Sequence, residues 1–301
     1  MLGINNIGEM VGARYPPKFD AFNPVEMLAV SPILYSGGKW KSILPEGAVS
    51  GPPAALNDSG QVAGQLRLAS AQPHHLSPAV WRGSEVQLLE IPTPYTSGVV
   101  KGINNAGQAV GFLQQLSSNP SSLQKFAVLW DTKDVTLLGS LPEAGQSESV
   151  AINNQGCILG VTTSGTTEFA KYAQDHMEGK TPSALIPPTL SFGGFLWDKG
   201  TLTALVTPEK PATGIDVSKG YLPRAISDDR VVVGRATDFS GKNIAFLWHN
   251  SKMTALNTLI PEESGWTLTD AKGPNNLGQI VGQGKYNGQH HAFLITPRAR
   301  N

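Results

Sequence analysis

Any chemistry in this chain has to come from six histidines, one cysteine and a scatter of carboxylates. His74 and His75 are neighbours, as are His290 and His291, and Asp175 precedes His176. Adjacent histidines on a strand point to opposite faces, so neither pair supplies two metal ligands. Zinc would need His74, His176 and His290 to converge from three separate segments, and no spacing calls for that. No metal and no cofactor is expected. Glu168, Asp175, Glu178, Asp216 and Asp238 stand in irregular segments. Two of them about 5–9 Å apart would suit glycoside hydrolysis, whereas solvated surface acids are the plainer reading. There is no Gly-x-Ser-x-Gly elbow, no phosphate loop and no paired-cysteine knuckle, and no residue is assigned a catalytic role. The lone Cys157 allows no intrachain disulfide and reads as a small strand hydrophobe.

Recognition is better supplied than catalysis. Arg14, Tyr15, Tyr95, Tyr172, Tyr221, Trp266 and Tyr286 fall in irregular segments. Tyrosine and tryptophan offer a large contact area with a polar tip. With His74, Asp175, His176 and His290, all of these but Tyr286 form the expected contact set for a protein or glycan partner; anchoring loops to the scaffold is the competing role. Lys and Arg together number 23, as do Asp and Glu, so no basic excess points to nucleic acid or an anionic membrane. No run reaches the length of a membrane span. The opening "MLGINNIGEM" has no basic stretch leading into an apolar one, so no signal peptide is expected within it.

These residues hang on a repeat. "GINNAGQAVG" (102–111) has counterparts in "GINNIGEMVG" (3–12), "ALNDSGQVAG" (55–64), "AINNQGCILG" (151–160), "AISDDRVVVG" (225–234) and "GPNNLGQIVG" (273–282). Their closing glycines recur about every 50 residues, with one longer gap between Gly160 and Gly234. Each unit reads as four short apolar runs bounded by Gly, Asn, Asp and Pro, which is strand patterning. In the third unit these are "VVKGIN", "QAVGFL", "KFAVLW" and "VTLLGSLP". Asn-x-Gly between the first two runs suits a three-residue hairpin loop with glycine in the left-handed region. Asp229–Arg230 breaks that rule in the fifth copy, so a different turn is expected there. The third run ("SPILY", "SPAVW", "FAVLW", "GGFLW", "IAFLW", "HAFLI") is apolar at successive positions, which requires burial on both faces. The fourth run ends in proline at Pro45, Pro92, Pro142, Pro208 and Pro261 and is absent from the sixth copy.

Sheets buried on both sides must stack on one another, and radial repetition achieves this. Charged residues are only 15% while glycines number 33 and prolines 22, which suits many short strands and turns. The expectation is an all-β, β-propeller-like domain over 1–301. It has six four-stranded antiparallel blades at about 1–50, 51–97, 98–147, 148–220, 221–268 and 269–301, the last lacking its fourth strand. The pattern "INNxGQxVG…AFLW…MTxLxxLP" resembles the bacterial HAF repeat, carried here by His291, Ala292 and Phe293. That resemblance covers essentially the whole chain and implies an extracellular or cell-surface setting, but no activity. The layout is also similar to kelch-type propellers in its Trp before Leu-Pro, although the paired glycines of kelch are missing.

Antiparallel order puts the first–second and third–fourth turns at one end of each blade and the other connections at the opposite end. The first set is short throughout. The second is long and irregular: 13–30, 65–76, 113–124, 161–191, 208–222 and 261–269. Within 161–191, "TEFAKYAQDHME" has helical spacing and reads as a lid or partner grip. Function is therefore expected on the long-loop end. The expected role is a non-catalytic scaffold binding a protein or glycan. The alternatives are a carbohydrate-active hydrolase or lyase with acids and histidines lining the centre, and a spacer in a larger surface protein. The absent fourth strand offers a place for strand exchange with another chain.

Overall fold

The computed structural model describes residues 3–15, 30–69, 76–116, 123–131, 134–141, 144–164, 191–205, 215–216 and 220–297. These are strands and turns apart from two short 3-10 segments, Leu256–Leu259 and Glu262–Ser264. The chain divides into two compact units, Met1–Leu137 and Leu138–Asn301.

The first unit holds three antiparallel sheets. Blade 1 is β1 (Gly3–Ile4), β2 (Met10–Arg14), β3 (Ser31–Ser36) and β4 (Lys39–Ser42). In blade 2, β5 (Ala48–Ser50) and β6 (Pro53–Leu56) both pair with β7 (Val62–Leu68), followed by β8 (Ser77–Arg82) and β9 (Glu85–Leu88). The innermost strand is thus split at Gly51 and Pro52, because proline has no amide to donate. Blade 3 is β10 (Ser97–Ile103), β11 (Ala109–Leu116), β12 (Leu123–Trp130) and β13 (Val135–Leu137).

The second unit repeats the plan. Blade 4 is β14 (Gln146–Ile152), β15 (Ile158–Ser164), β16 (Ser191–Asp198) and β17 (Thr201–Ala204). Blade 5 is β18 (Tyr221–Ile226), β19 (Val232–Thr237), β20 (Asn243–His249) and β21 (Lys252–Ala255). Blade 6 is β22 (Trp266–Pro274), β23 (Ile280–Tyr286) and β24 (Gln289–Ile295). The fold is that of a six-bladed β-propeller with four-stranded antiparallel sheets, the last having three strands.

Successive sheets share cores. Val11, Leu34, Leu66 and Trp81 join blades 1 and 2, and Val80, Leu113, Val128 and Trp130 join blades 2 and 3. Leu159, Leu205, Phe246 and Met253 join blades 4 and 5, and Val233, Leu256, Leu268 and Phe293 join blades 5 and 6. Each such side chain contributes about 1.5–3 kcal/mol on burial. The third-run strands are accordingly buried at successive positions in β8 and β20. In β24 five of seven positions are exposed.

The repeated phrase is a latch between blades. Asn57 caps its own turn: its Oδ1 accepts from the Gln61 amide at 2.9 Å. Its Nδ2 then donates to the Asn104 carbonyl of the next blade at 3.0 Å. Asn5 reaches the Asn57 carbonyl in the same way, and Asn153 the Ser227 carbonyl. A second stitch runs from the tryptophan that ends the third run to the blade before it. Trp81 Nε1 donates to Ile43 O, Trp130 Nε1 to Glu90 O and Trp248 Nε1 to Leu205 O, at 2.6–3.0 Å.

The fifth turn does not differ from the others, contrary to expectation. Arg230 takes the left-handed conformation (φ 59°) that glycine takes elsewhere. Its amide donates to Ser227 O, and the Val231 amide donates to Ser227 Oγ in place of the asparagine oxygen. An ion pair from Arg230 to Asp198 accompanies this backbone.

Five of the six innermost strands carry a bulge at the residue before the phrase: Ala54, Lys101, Val150, Arg224 and Lys272. There the inner strand crosses closely over the second strand. A Cβ on Gly111 would run into the Val99 carbonyl, which is why the phrase closes on glycine.

Candidate functional site

Ladder pairing puts the start of each innermost strand, the end of the second and the start of the third at one end of a blade. In blade 6 these are Trp266, Tyr286 and Gln289. The connection between the second and third strands is tight in two blades, against the expectation of long loops throughout this end. In blade 6 it is Asn287–Gly288, with φ of 49° and 84°, a pair that fits the primed hairpin turn. In blade 5 Asp238 accepts from the Ser240 and Lys242 amides and the Ser240 hydroxyl.

The Trp266 ring stands beside this uncovered end. It meets Tyr286 at 5.3 Å, His291 at 6.2 Å and Phe293 at 6.4 Å between centroids. Tyr286 is 43% exposed. Gly265, left-handed at φ 73°, turns the chain into β22, and its carbonyl accepts from the Asn287 amide at 2.9 Å, tying the tryptophan to the hairpin. On its other side Trp266 walls a pocket of about 390 Å³ between blades 5 and 6, with Ile244, Ala255 and Ile260 as apolar lining and Lys242, Asn243 and Glu262 at the rim. Asn257 also lines it, but both ends of its amide are taken by the Leu268 backbone. The Asp238 carboxyl is held below the usual carboxylate range, chiefly by the Lys242 amide and then by the Ser240 hydroxyl.

The expected contact residues separate into groups. Trp266 and His290 share the blade 6 end. Arg14 and Tyr15 are exposed at the end of β2 in the other unit. Tyr95 packs edge-on to Phe126 at 5.3 Å and joins the core of blades 2 and 3. Tyr221 is buried at 7% exposure, edge-on to Phe246, with its hydroxyl donating to Gly194 O. Both rings pack against the blade cores. His74, Tyr172, Asp175 and His176 lie outside the described residues, as do Glu168, Glu178 and the expected 167–178 helix. Cys157 is fully buried and its thiol is pushed up to about 11, chiefly by burial. Among the described residues no three His, Cys, Asp or Glu gather as a metal site, and no helix is long and apolar enough to cross a membrane.

The first unit has a pocket of about 350 Å³ between blades 1 and 2, at the opposite blade end. Its two carboxylates are already committed. Glu9 accepts from Asn5 and Ser36. Asp58 accepts from the Asn6 amide and from the side chains of Asn6 and Asn105.

Fold and site together define a β-propeller with an aromatic cluster at the blade 6 end. Among solved structures it is similar to the β-propeller domain of the Trilobed protease from Pyrococcus furiosus, whose topology is open velcro, at 13% identity over 98% of this chain and 78% of that one, TM-score 0.57. It is also similar to the Pyrococcus horikoshii acylaminoacyl peptidase, at 11% identity over 99% of this chain, TM-score 0.53. The chain spans 45% of that peptidase's length. At such identities the likeness shows the fold alone. No family model and no curated protein matches the sequence, so the HAF-repeat and kelch resemblances and the extracellular setting gain no support there.

Proposed function

We propose that the chain is a recognition module without chemistry of its own, taking a glycan at the blade 5–6 end of its second unit. The observation that carries this is Trp266, shared between a half-exposed aromatic cluster and a pocket with an apolar floor and an amide and carboxylate rim. A sugar ring needs that combination: a flat apolar face to stack on, with hydrogen-bonding groups around its edge. A hydrolase would need a second carboxyl kept protonated near neutral pH beside an ionised one, and Asp238, held low, could serve only as the ionised partner. A cell-surface setting, as the HAF resemblance implies, belongs to the same proposal.

The test is a glycan array probed with the full chain, followed by calorimetry on any binder. Tyr286→Ala and His291→Ala, both at exposed positions, are expected to weaken binding at least tenfold with an unchanged circular dichroism spectrum. Tyr15→Ala is expected to leave it unaltered. An array without binders, or equal affinity in all three variants, would reject the reading.

A further inference from the structure

We propose that Arg224 and Lys272, set over the buried Asp270, form a binding site for one small oxyanion, a carboxylate or a phosphate. The site belongs to the innermost strands of blades 5 and 6 and is distinct from the Trp266 pocket. Both cations occupy the bulge position of their strands, where an extra residue is turned out of the ladder. Ala54 and Val150 hold that position in blades 2 and 4. Blade 6 has a second bulge, between Leu268 and Asp270, within the same continuous strand, whereas the second irregularity of blade 2, between Ala48 and Ser50, lies on the separate strand β5. A further irregularity this close to the first marks a position that is being aimed.

What it aims is a carboxylate with 2% exposure. Arg224 Nη2 meets Asp270 Oδ2 at 3.1 Å, and Lys272 Nζ meets the same oxygen at 2.6 Å. Two cations share one anion, so the cluster keeps a net positive charge. Asp270 Oδ1 and Arg224 Nε are buried with no partner, so the arrangement is not one that completes the pairing of its own groups. Convergence on a single oxygen holds the cations side by side. Their side chains remain 33% and 45% exposed, so solute can reach them. A guanidinium fork beside an ammonium is suited to a planar carboxylate or a phosphate bridging the two. Asp270 fixes their spacing and limits the affinity by partly neutralising them.

The experiment is a titration of the full chain with inorganic phosphate and, separately, with acetate, at ionic strength held constant with sodium chloride, read by thermal unfolding and by calorimetry. A saturable rise in unfolding temperature with either anion is expected. Lys272→Gln should weaken it at least tenfold, and Lys272→Arg should keep it within threefold. Lys252→Gln, on the outermost strand of blade 5, should match the parent chain. Which anion saturates first identifies the group recognised. An effect reproduced by chloride, or one that survives Lys272→Gln intact, would overturn the proposal. If Lys272→Gln does not fold, Arg224→Lys, which keeps the charge but loses the fork, should favour neither anion over chloride; retained preference would overturn it equally.

Discussion

Asn57 shows how much one side chain in the repeated phrase does. Its oxygen caps the turn while its amide spans to the next blade, and the residue is 3% exposed. Replacing it with alanine removes the span to the Asn104 carbonyl, which still accepts from the Gly107 amide, and takes the acceptor from the Gln61 amide, at a cost of about 1–3 kcal/mol. Urea denaturation checks this. The turn was legible from Asn-x-Gly, but the span to a residue about 47 positions away was not, since local pattern carries no information about which blade lies alongside. Asp58 adds a pH dependence. Burial pushes its carboxyl up, but the Asn6 amide and the side chains of Asn105 and Asn6 outweigh this and hold it lower than usual. With the folded value below the unfolded one, its contribution is complete above about pH 4 and is lost as pH falls through the folded value. The urea midpoint should therefore fall more between pH 5 and pH 2.5 in the parent chain than in Asp58→Asn. Cys157, fully buried with its thiol pushed up to about 11, should resist a thiol reagent at pH 8 until the chain unfolds.

At the scale of elements, strand count and order followed from the runs, because period, turn residues and glycine spacing agree with one another. The bulges were hidden: an extra residue in a strand looks like any other in sequence. A basic residue before the phrase in three copies (Lys101, Arg224, Lys272) was the available trace of them. The Asn287–Gly288 hairpin was plainly written, yet it lies where blades 1 to 4 carry longer connections, and the Trp266 cluster beside it was read only as an aromatic in a loop. The crossing of first and second strands gives a prediction of its own. At Gly111 an added methyl meets main chain, which cannot rotate away, so Gly111→Ala should cost about 3 kcal/mol or more. The same change at Gly83, left-handed but with open space around the Cβ, should cost about 1 kcal/mol. Thermal melts of the two variants distinguish contact from conformation.

Across the whole molecule the fourth residue of the phrase reads Asn6, Asp58, Asn105 in the first unit and Asn154, Asp228, Asn276 in the second. The middle blade of each unit thus supplies a carboxylate where its neighbours supply amides. Asp58 accepts from Asn6 at 2.8 Å and Asn105 at 2.6 Å; Asp228 accepts from Asn154 at 3.2 Å and Asn276 at 2.7 Å. In each unit one acceptor clasps two flanking donors. An asparagine in either place would set amide hydrogens against amide hydrogens. Asp58→Asn and Asp228→Asn should each lower the urea midpoint. The double variant should show the sum of the two losses to within about 0.5 kcal/mol, because each carboxylate accepts from a different pair of asparagines. A double variant losing much more than that sum would mean the clasps hold one cooperative structure together, each compensating for loss of the other. A denaturant series on the four chains, fitted with a common slope, separates these outcomes.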